Sequence, residues 1–220
     1  NTVLHPIILS QGNMAVRSRG GDDTTGRLVF GFDGSLFTKD LTYDFRVNVG
    51  PDGENLENVW TQYLYDHTVW NNGDLAIKGG LLKDPLYKET GIIDDGNQLL
   101  VHFSLANALT GVGVQGGSTR GVDFLFLGNN TPLHAEVAFT GGPSNTQYLS
   151  SDFGGIGGQS DFSFTSRVDY KFNGDWTDTN DLTGKKSGQH DLLDIGGGIA
   201  YTDADESVWR ASVDGQYMIA

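Results

Sequence analysis

Charged side chains in this chain recur at every second residue of otherwise apolar stretches, and that spacing decides what chemistry they can do. Asp44 and Arg46 alternate with Tyr43, Phe45 and Val47. Arg167, Asp169 and Lys171 alternate with Val168, Tyr170 and Phe172, and Arg210 and Asp214 with Trp209, Ala211 and Val213. Lys78, Asp123 and Glu136 stand in weaker versions of the same pattern. A two-residue period places charges on one face of a strand and apolar groups on the other. These residues would therefore line a polar surface carrying both signs of charge. Such a surface can hydrate and steer small ions; nothing in the spacing arranges a nucleophile with a base.

Other chemical signals point away from catalysis and cofactors. Gly111-Val-Gly-Val-Gln-Gly116 matches the dinucleotide fingerprint by letter. A dinucleotide site needs a helix after the glycines to meet the pyrophosphate, whereas Ser118-Thr-Arg-Gly and a strand pattern follow here. His5, His67, His102, His134 and His190 show no metal-ligand spacing, and no nucleophile elbow occurs. Asp175, Asp178 and Asp181, with Asp203, Asp205 and Glu206, could offer oxygens to calcium but lack the EF-hand order. The reading is a non-enzyme with no catalytic residues, no metal site and no cofactor.

The elements that must position the charges are strands. Leu41–Val49, Leu133–Thr140, Phe162–Phe172 and Ser207–Ala220 alternate cleanly; Arg27–Phe37, Val59–Trp70, Asp74–Leu82, Gly111–Gly117, Gly121–Gly128 and Asp191–Thr202 do so less strictly. Most run about nine to fourteen residues. Strands in soluble proteins average about five or six, and a tilted bilayer-crossing strand needs about nine to eleven. Thr38-Lys39-Asp40, Asn71-Asn72-Gly73 and Asn129-Asn130-Thr131 read as tight turns. Pro51–Asn58, Lys83–Asn97, Gly142–Gln159 and Asn173–His190 read as longer connections. The last two flank one strand, which implies either a short strand near Thr146–Ser150 or an extended turn.

Composition narrows the class. The 220 residues hold 14 basic and 28 acidic side chains, 32 glycines and no cysteine. An acidic chain has no basic face for nucleic acid, and disulfide frameworks are excluded. No run approaches the ~20 apolar residues of a membrane helix. Tyr43, Tyr63, Tyr65, Trp70, Tyr201, Trp209 and Tyr217 at strand ends suit interfacial girdles. The fold class is all-β, an antiparallel transmembrane β-barrel. The alternative is a soluble β-sandwich that binds carbohydrate or forms a surface layer, with calcium in the acidic loops.

One region adds specificity. Asp74-Leu-Ala-Ile-Lys-Gly-Gly-Leu-Leu-Lys-Asp-Pro85, then Phe103-Ser-Leu-Ala-Asn-Ala-Leu109, Gly111–Gly116 and the strand Gly121–Gly128 leading to Glu136–Gly141 resemble the strand, constriction segment and hairpin of the phosphate-selective porin O and P family. The resemblance covers residues 59–140. It implies an outer-membrane trimer of sixteen-stranded barrels, with residues 83–110 as a loop folded into the lumen and ions or small hydrophilic solutes diffusing through. It also implies contact with outer-membrane lipid and lipopolysaccharide. Residues 1–220 would then form one barrel domain, incomplete at the C-terminal end, where alternation stops in mid-pattern. Asp44, Arg46, Lys78, Asp123, Glu136, Arg167, Asp169, Lys171, Arg210 and Asp214 become candidate pore-lining residues. Few bases and many acids depart from anion-selective members, so phosphate specificity is not implied; a general diffusion pore with weak cation preference is expected.

Overall fold

Strands in this chain pair in the order in which they are made. The computed structural model describes residues 9–18, 26–50, 53–69, 73–92, 118–141, 146–147, 157–158, 161–180, 182, 191–203 and 207–219. The first five strands are β1 (Leu9–Ser18), β2 (Gly26–Ser35), β3 (Leu41–Gly50), β4 (Gly53–Val69) and β5 (Gly73–Lys83). After a short π-helical turn at Lys88–Ile92 come β6 (Ser118–Leu127), β7 (Leu133–Thr140), β8 (Thr146–Gln147) and β9 (Gly157–Gly158). The last are β10 (Phe162–Asn173), β11 (Leu192–Asp203) and β12 (Val208–Met218). Ten strands form one antiparallel sheet in the order β1-β2-β3-β4-β5-β6-β7-β10-β11-β12; β8 and β9 pair only with each other. The chain is all-β, and among the described residues the large sheet is not closed, with β1 and β12 as its edges.

Several sequence expectations change. β1 was not legible: Leu9–Ser18 mixes glycine and polar residues without a clean period. The polar stretch 51–58 is not a loop, because β4 begins at Gly53 and pairs with β3 through Gly50↔Gly53. Both alternatives for the region after β7 hold in part. Thr146–Gln147 is a strand, yet it joins the small sheet rather than the large one. The long connection between β10 and β11 is then an extended turn at the edge where β2–β3 and β6–β7 turn tightly. The strand expected at 111–117, the fingerprint within it, and Trp70 lie outside the described residues.

The sheet curls. Five strand spacings separate β5 from β12, and at about 4.8 Å each a flat sheet would hold them roughly 24 Å apart. Asp84 directly follows the last residue of β5, yet its Oδ2 lies 3.3 Å from Nη2 of Arg210 on β12. These two side chains, fully extended, join Cα atoms no more than roughly 14 Å apart. The polar side must therefore be concave, bringing β12 back toward β5.

Burial is inverted relative to a soluble sheet. Arg167 is 1% exposed, Asp194 0% and Asp123 2%, while Val213 is 85% exposed and Tyr217 67%. Phe139, Phe164, Val168, Tyr170, Ile195 and Ile199 are likewise exposed. Water-driven burial of apolar area thus cannot hold this sheet together; its backbone ladders and the polar contacts of the inner face must.

Glycine sets one close approach within the ladder. Gly80 has φ +138°, and a Cβ there would overlap the Val59 carbonyl and stand 2.8 Å from Cα of Trp60. Its neighbour Gly79 meets only the Gly121 carbonyl, at 4.0 Å. Gly80→Ala is expected to destabilise the fold by about 2 kcal/mol or more, and Gly79→Ala by less than about 0.5 kcal/mol. Urea unfolding of both variants in detergent micelles measures the difference, and equal midpoints would contradict it.

Candidate functional site

Registers place the candidate residues on one face. Row by row, Lys78 on β5 opposes Asp123 on β6, which opposes Ala138 on β7. Arg167 on β10 opposes Glu136 on β7 and Gly198 on β11. Asp169 opposes His134 and Gly196, and Gly196 opposes Asp214 on β12. Lys171 opposes Asp194, and Arg210 opposes Ala200. Asp44 and Arg46 lie farther along the same face on β3 and pair with each other at 2.8 Å. All ten candidates are described and share this surface.

The best-built cluster centres on Arg167. Its Nε and Nη2 donate to the two carboxylate oxygens of Asp169 at 2.9 and 2.6 Å. Nη2 and Nη1 donate to the two oxygens of Asp214 at 2.6 and 2.8 Å. The remaining Nη1 hydrogen goes to the carbonyl of Leu86 at 3.1 Å. Guanidinium has five N–H donors, and all five are used. The fork matches two carboxylates side by side, which is the arrangement that makes arginine suited to burial. Reaching Asp214 means crossing β11, and the crossing is possible because residue 196 is glycine: a Cβ there would overlap the Asp169 carboxylate and the Arg167 guanidinium.

The Leu86 carbonyl belongs to the segment that follows β5. Asp84 accepts the Leu86 amide at 3.0 Å, turning the chain sharply at Pro85. Leu86 and Tyr87 then pack on Ala200 in a small apolar cluster. Ser212 donates to the Leu86 carbonyl, and the Lys88 ammonium pairs with the buried Asp194 carboxylate. Arg210 reaches Asp84 and also Thr202 Oγ1, both at 3.3 Å. Residues 84–88 are therefore docked against β10, β11 and β12 on the polar face. Gly198 makes the seat: a Cβ there would press on the Leu86 side chain and carbonyl at 3.3 Å. The glycines at 196–198, readable in sequence only as a bend or a close approach, thus divide their roles between the guanidinium and this segment.

A second segment lies at the opposite end of the strands. After β10, Trp176 stacks on His134 with ring centroids 3.5 Å apart and donates to the Thr131 carbonyl at 3.1 Å. The Lys171 ammonium stands over the Trp176 ring, 5.0 Å from its centroid. Asp178 and Thr179 are buried, and Gln216 on β12 donates to the Asp178 carbonyl at 3.5 Å. Asp175 and Asp178, read in sequence as calcium candidates, lie in this docked turn, and no cluster able to hold a metal occurs among the described residues. Sequence reasoning missed Lys88 and Asp194. The available signal was a charged residue in an otherwise apolar alternation at 192–199; Lys88 sits in no periodic segment and carries none.

Arg167→Leu would leave Asp169 and Asp214 facing one another without their shared cation and is expected to destabilise the fold by about 3–5 kcal/mol. Arg167→Lys keeps the charge but not the fork and should fall between the variants in denaturant midpoint; a midpoint equal to wild type for Arg167→Leu would remove Arg167 from this role. Comparisons with protein-family models, curated proteins and solved structures found no match to this chain, so the resemblance over residues 59–140 rests on its motifs alone.

Proposed function

We propose that this chain is an outer-membrane porin that lets ions and small hydrophilic solutes diffuse along the polar face of its sheet, closed as a barrel in the membrane. The observation that carries the reading is the inverted burial: charged residue types inside, many large apolar side chains outside. A soluble sandwich presses its apolar faces against a second sheet. Here the only other sheet among the described residues is the pair of two-residue strands β8 and β9.

The outer face is also zoned as a bilayer would require. Phe139, Phe162, Tyr201 and Trp209 form a continuous aromatic band across β7, β10, β11 and β12, with centroids 5.8, 5.9 and 4.9 Å apart. Tyr170, Phe172 and Tyr217 stand toward the other end, and Val137, Val168, Ile199 and Val213 lie between. Trp209 and Tyr217 are eight residues apart, about 27 Å along a strand. At the tilt of membrane barrels that is a height of roughly 21 Å, near the ~25 Å apolar band of such proteins.

The inner face supports weak cation preference. Asp33, Asp44, Asp74, Asp123, Glu136, Asp169, Asp194 and Asp214 share it by register with seven bases, Arg17, Arg27, Arg46, Lys78, Arg167, Lys171 and Arg210, a surplus of one carboxylate. Acidic excess raises the barrier to anions. Arg167 has no donor left for a passing anion, which strengthens the bias. Residues 84–92 are read as the lumenal constriction expected within residues 83–110. Sixteen strands, a trimer and contact with lipopolysaccharide remain expectations carried by the resemblance.

The test is electrical. Full-length protein added to a planar bilayer should give stepwise currents, and the reversal potential in a potassium chloride gradient should carry the sign of cation preference. Lys78→Glu should move it further toward the potassium equilibrium value. The proposal fails if the protein stays monodisperse in plain buffer and never partitions into membranes; strong anion preference would overturn the assignment of the lumenal charges.

A further inference from the structure

We propose that the segment following β5, Asp84 to Ile92, is a releasable gate held shut by a polar latch rather than a fixed constriction. The inference rests on the pore reading above and deepens it by naming the element that controls passage of small hydrated cations. Three successive strands hold the segment, and the bonds are of a kind that water can replace: Lys88 to Asp194, Arg210 to Asp84, and Arg167 and Ser212 to the Leu86 carbonyl. Exchange of such bonds with water is close to balanced, whereas withdrawing a large apolar anchor from its seat would not be. The apolar anchor here is small, Leu86 and Tyr87 against Ala200.

The Arg167 bridge of the wall survives without the segment, although Asp194 and Arg210 exchange Lys88 and Asp84 for water. Four of the five Arg167 hydrogen bonds go to Asp169 and Asp214, so undocking leaves the β10–β11–β12 bridge intact and frees one donor to water. Arg210 keeps Thr202. Gly198 supplies a recess that Leu86 fills, bounded on the wall side by the Ser166 carbonyl. The Arg167 bridge is internal to the wall, and the pairs that hold the segment, Lys88 with Asp194 and Asp84 with Arg210, are separate from that bridge.

The gate is tested on the full chain in planar bilayers. Asp194→Asn removes the charge partner of Lys88 with little change of shape and should raise the open fraction about tenfold or more, the scale of one charge-assisted hydrogen bond. Lys88→Gln should do the same from the other side of the pair. Because the chain has no cysteine, the pair Leu86→Cys and Gly198→Cys can lock the segment; oxidation should abolish the current and reduction restore it. Equal currents in the oxidised and reduced forms, once the cross-link is verified by mass, would overturn the gate and leave the pore standing. Protein that inserts into liposomes but passes no current in wild type or any variant would overturn both.

Discussion

One buried guanidinium organises this molecule. Arg167 ties Asp169 on its own strand to Asp214 two strands away and still holds the Leu86 carbonyl. A buried cation is tolerable only when its charge is matched and its donors are satisfied. Both conditions depend on the residue between, because any side chain at position 196 would occupy the space the fork needs. Sequence, curvature and loop placement meet at this point. The glycine permits the bridge, the bridge ties three strands on the concave side, and the curl brings Asp84 within reach of Arg210.

Backbone bonding supplies what apolar burial does not. The outer face keeps large apolar side chains exposed, and the buried apolar residues are few and scattered, with Leu86, Tyr87 and Ala200 forming a cluster. Ladders that pair eight or more residues, such as β10 with β11 and β11 with β12, carry the sheet through its interior. In the bilayer proposed for it, this is the required arrangement, since lipid offers no partner for an unpaired amide. The open edges of β1 and β12 are the two places where that requirement is not yet met among the described residues.

Legibility followed the strength of the two-residue period. β3, β7, β10 and β12 stood out because aromatic or β-branched residues alternate there with charges, and their bounds agree closely with the sequence. β1 was invisible because Ser10, Gly12 and Asn13 break the alternation. The start of β4 was misplaced because Glu54, Asn55 and Asn58 look like a loop; beyond an apolar zone both faces of a strand can be polar, so periodicity fades although pairing continues. Candidate charges were found by phase alone. Their partners were not, because Arg167 with Asp214 and Lys88 with Asp194 are made by curvature and by a docked loop, and neither is encoded in local spacing.

The acidic balance takes its meaning from these pairings. A count of charges treats every base on the polar face as available to a passing ion. Among the described side chains of this face the strand bases are engaged: Arg46 with Asp44, Arg167 with two carboxylates, Arg210 with Asp84, Lys78 over the Trp60 ring and Lys171 over Trp176. Pairing cancels field at a distance on both sides of the ledger, but it cannot cancel the surplus. By register the strands place eight carboxylates on this face, Asp33, Asp74, Asp123 and Glu136 among them, against seven bases, a surplus of one. The arginines of β10 and β12 act as structural ties, their charge paired with carboxylates of β10 and β12 and of the docked segment.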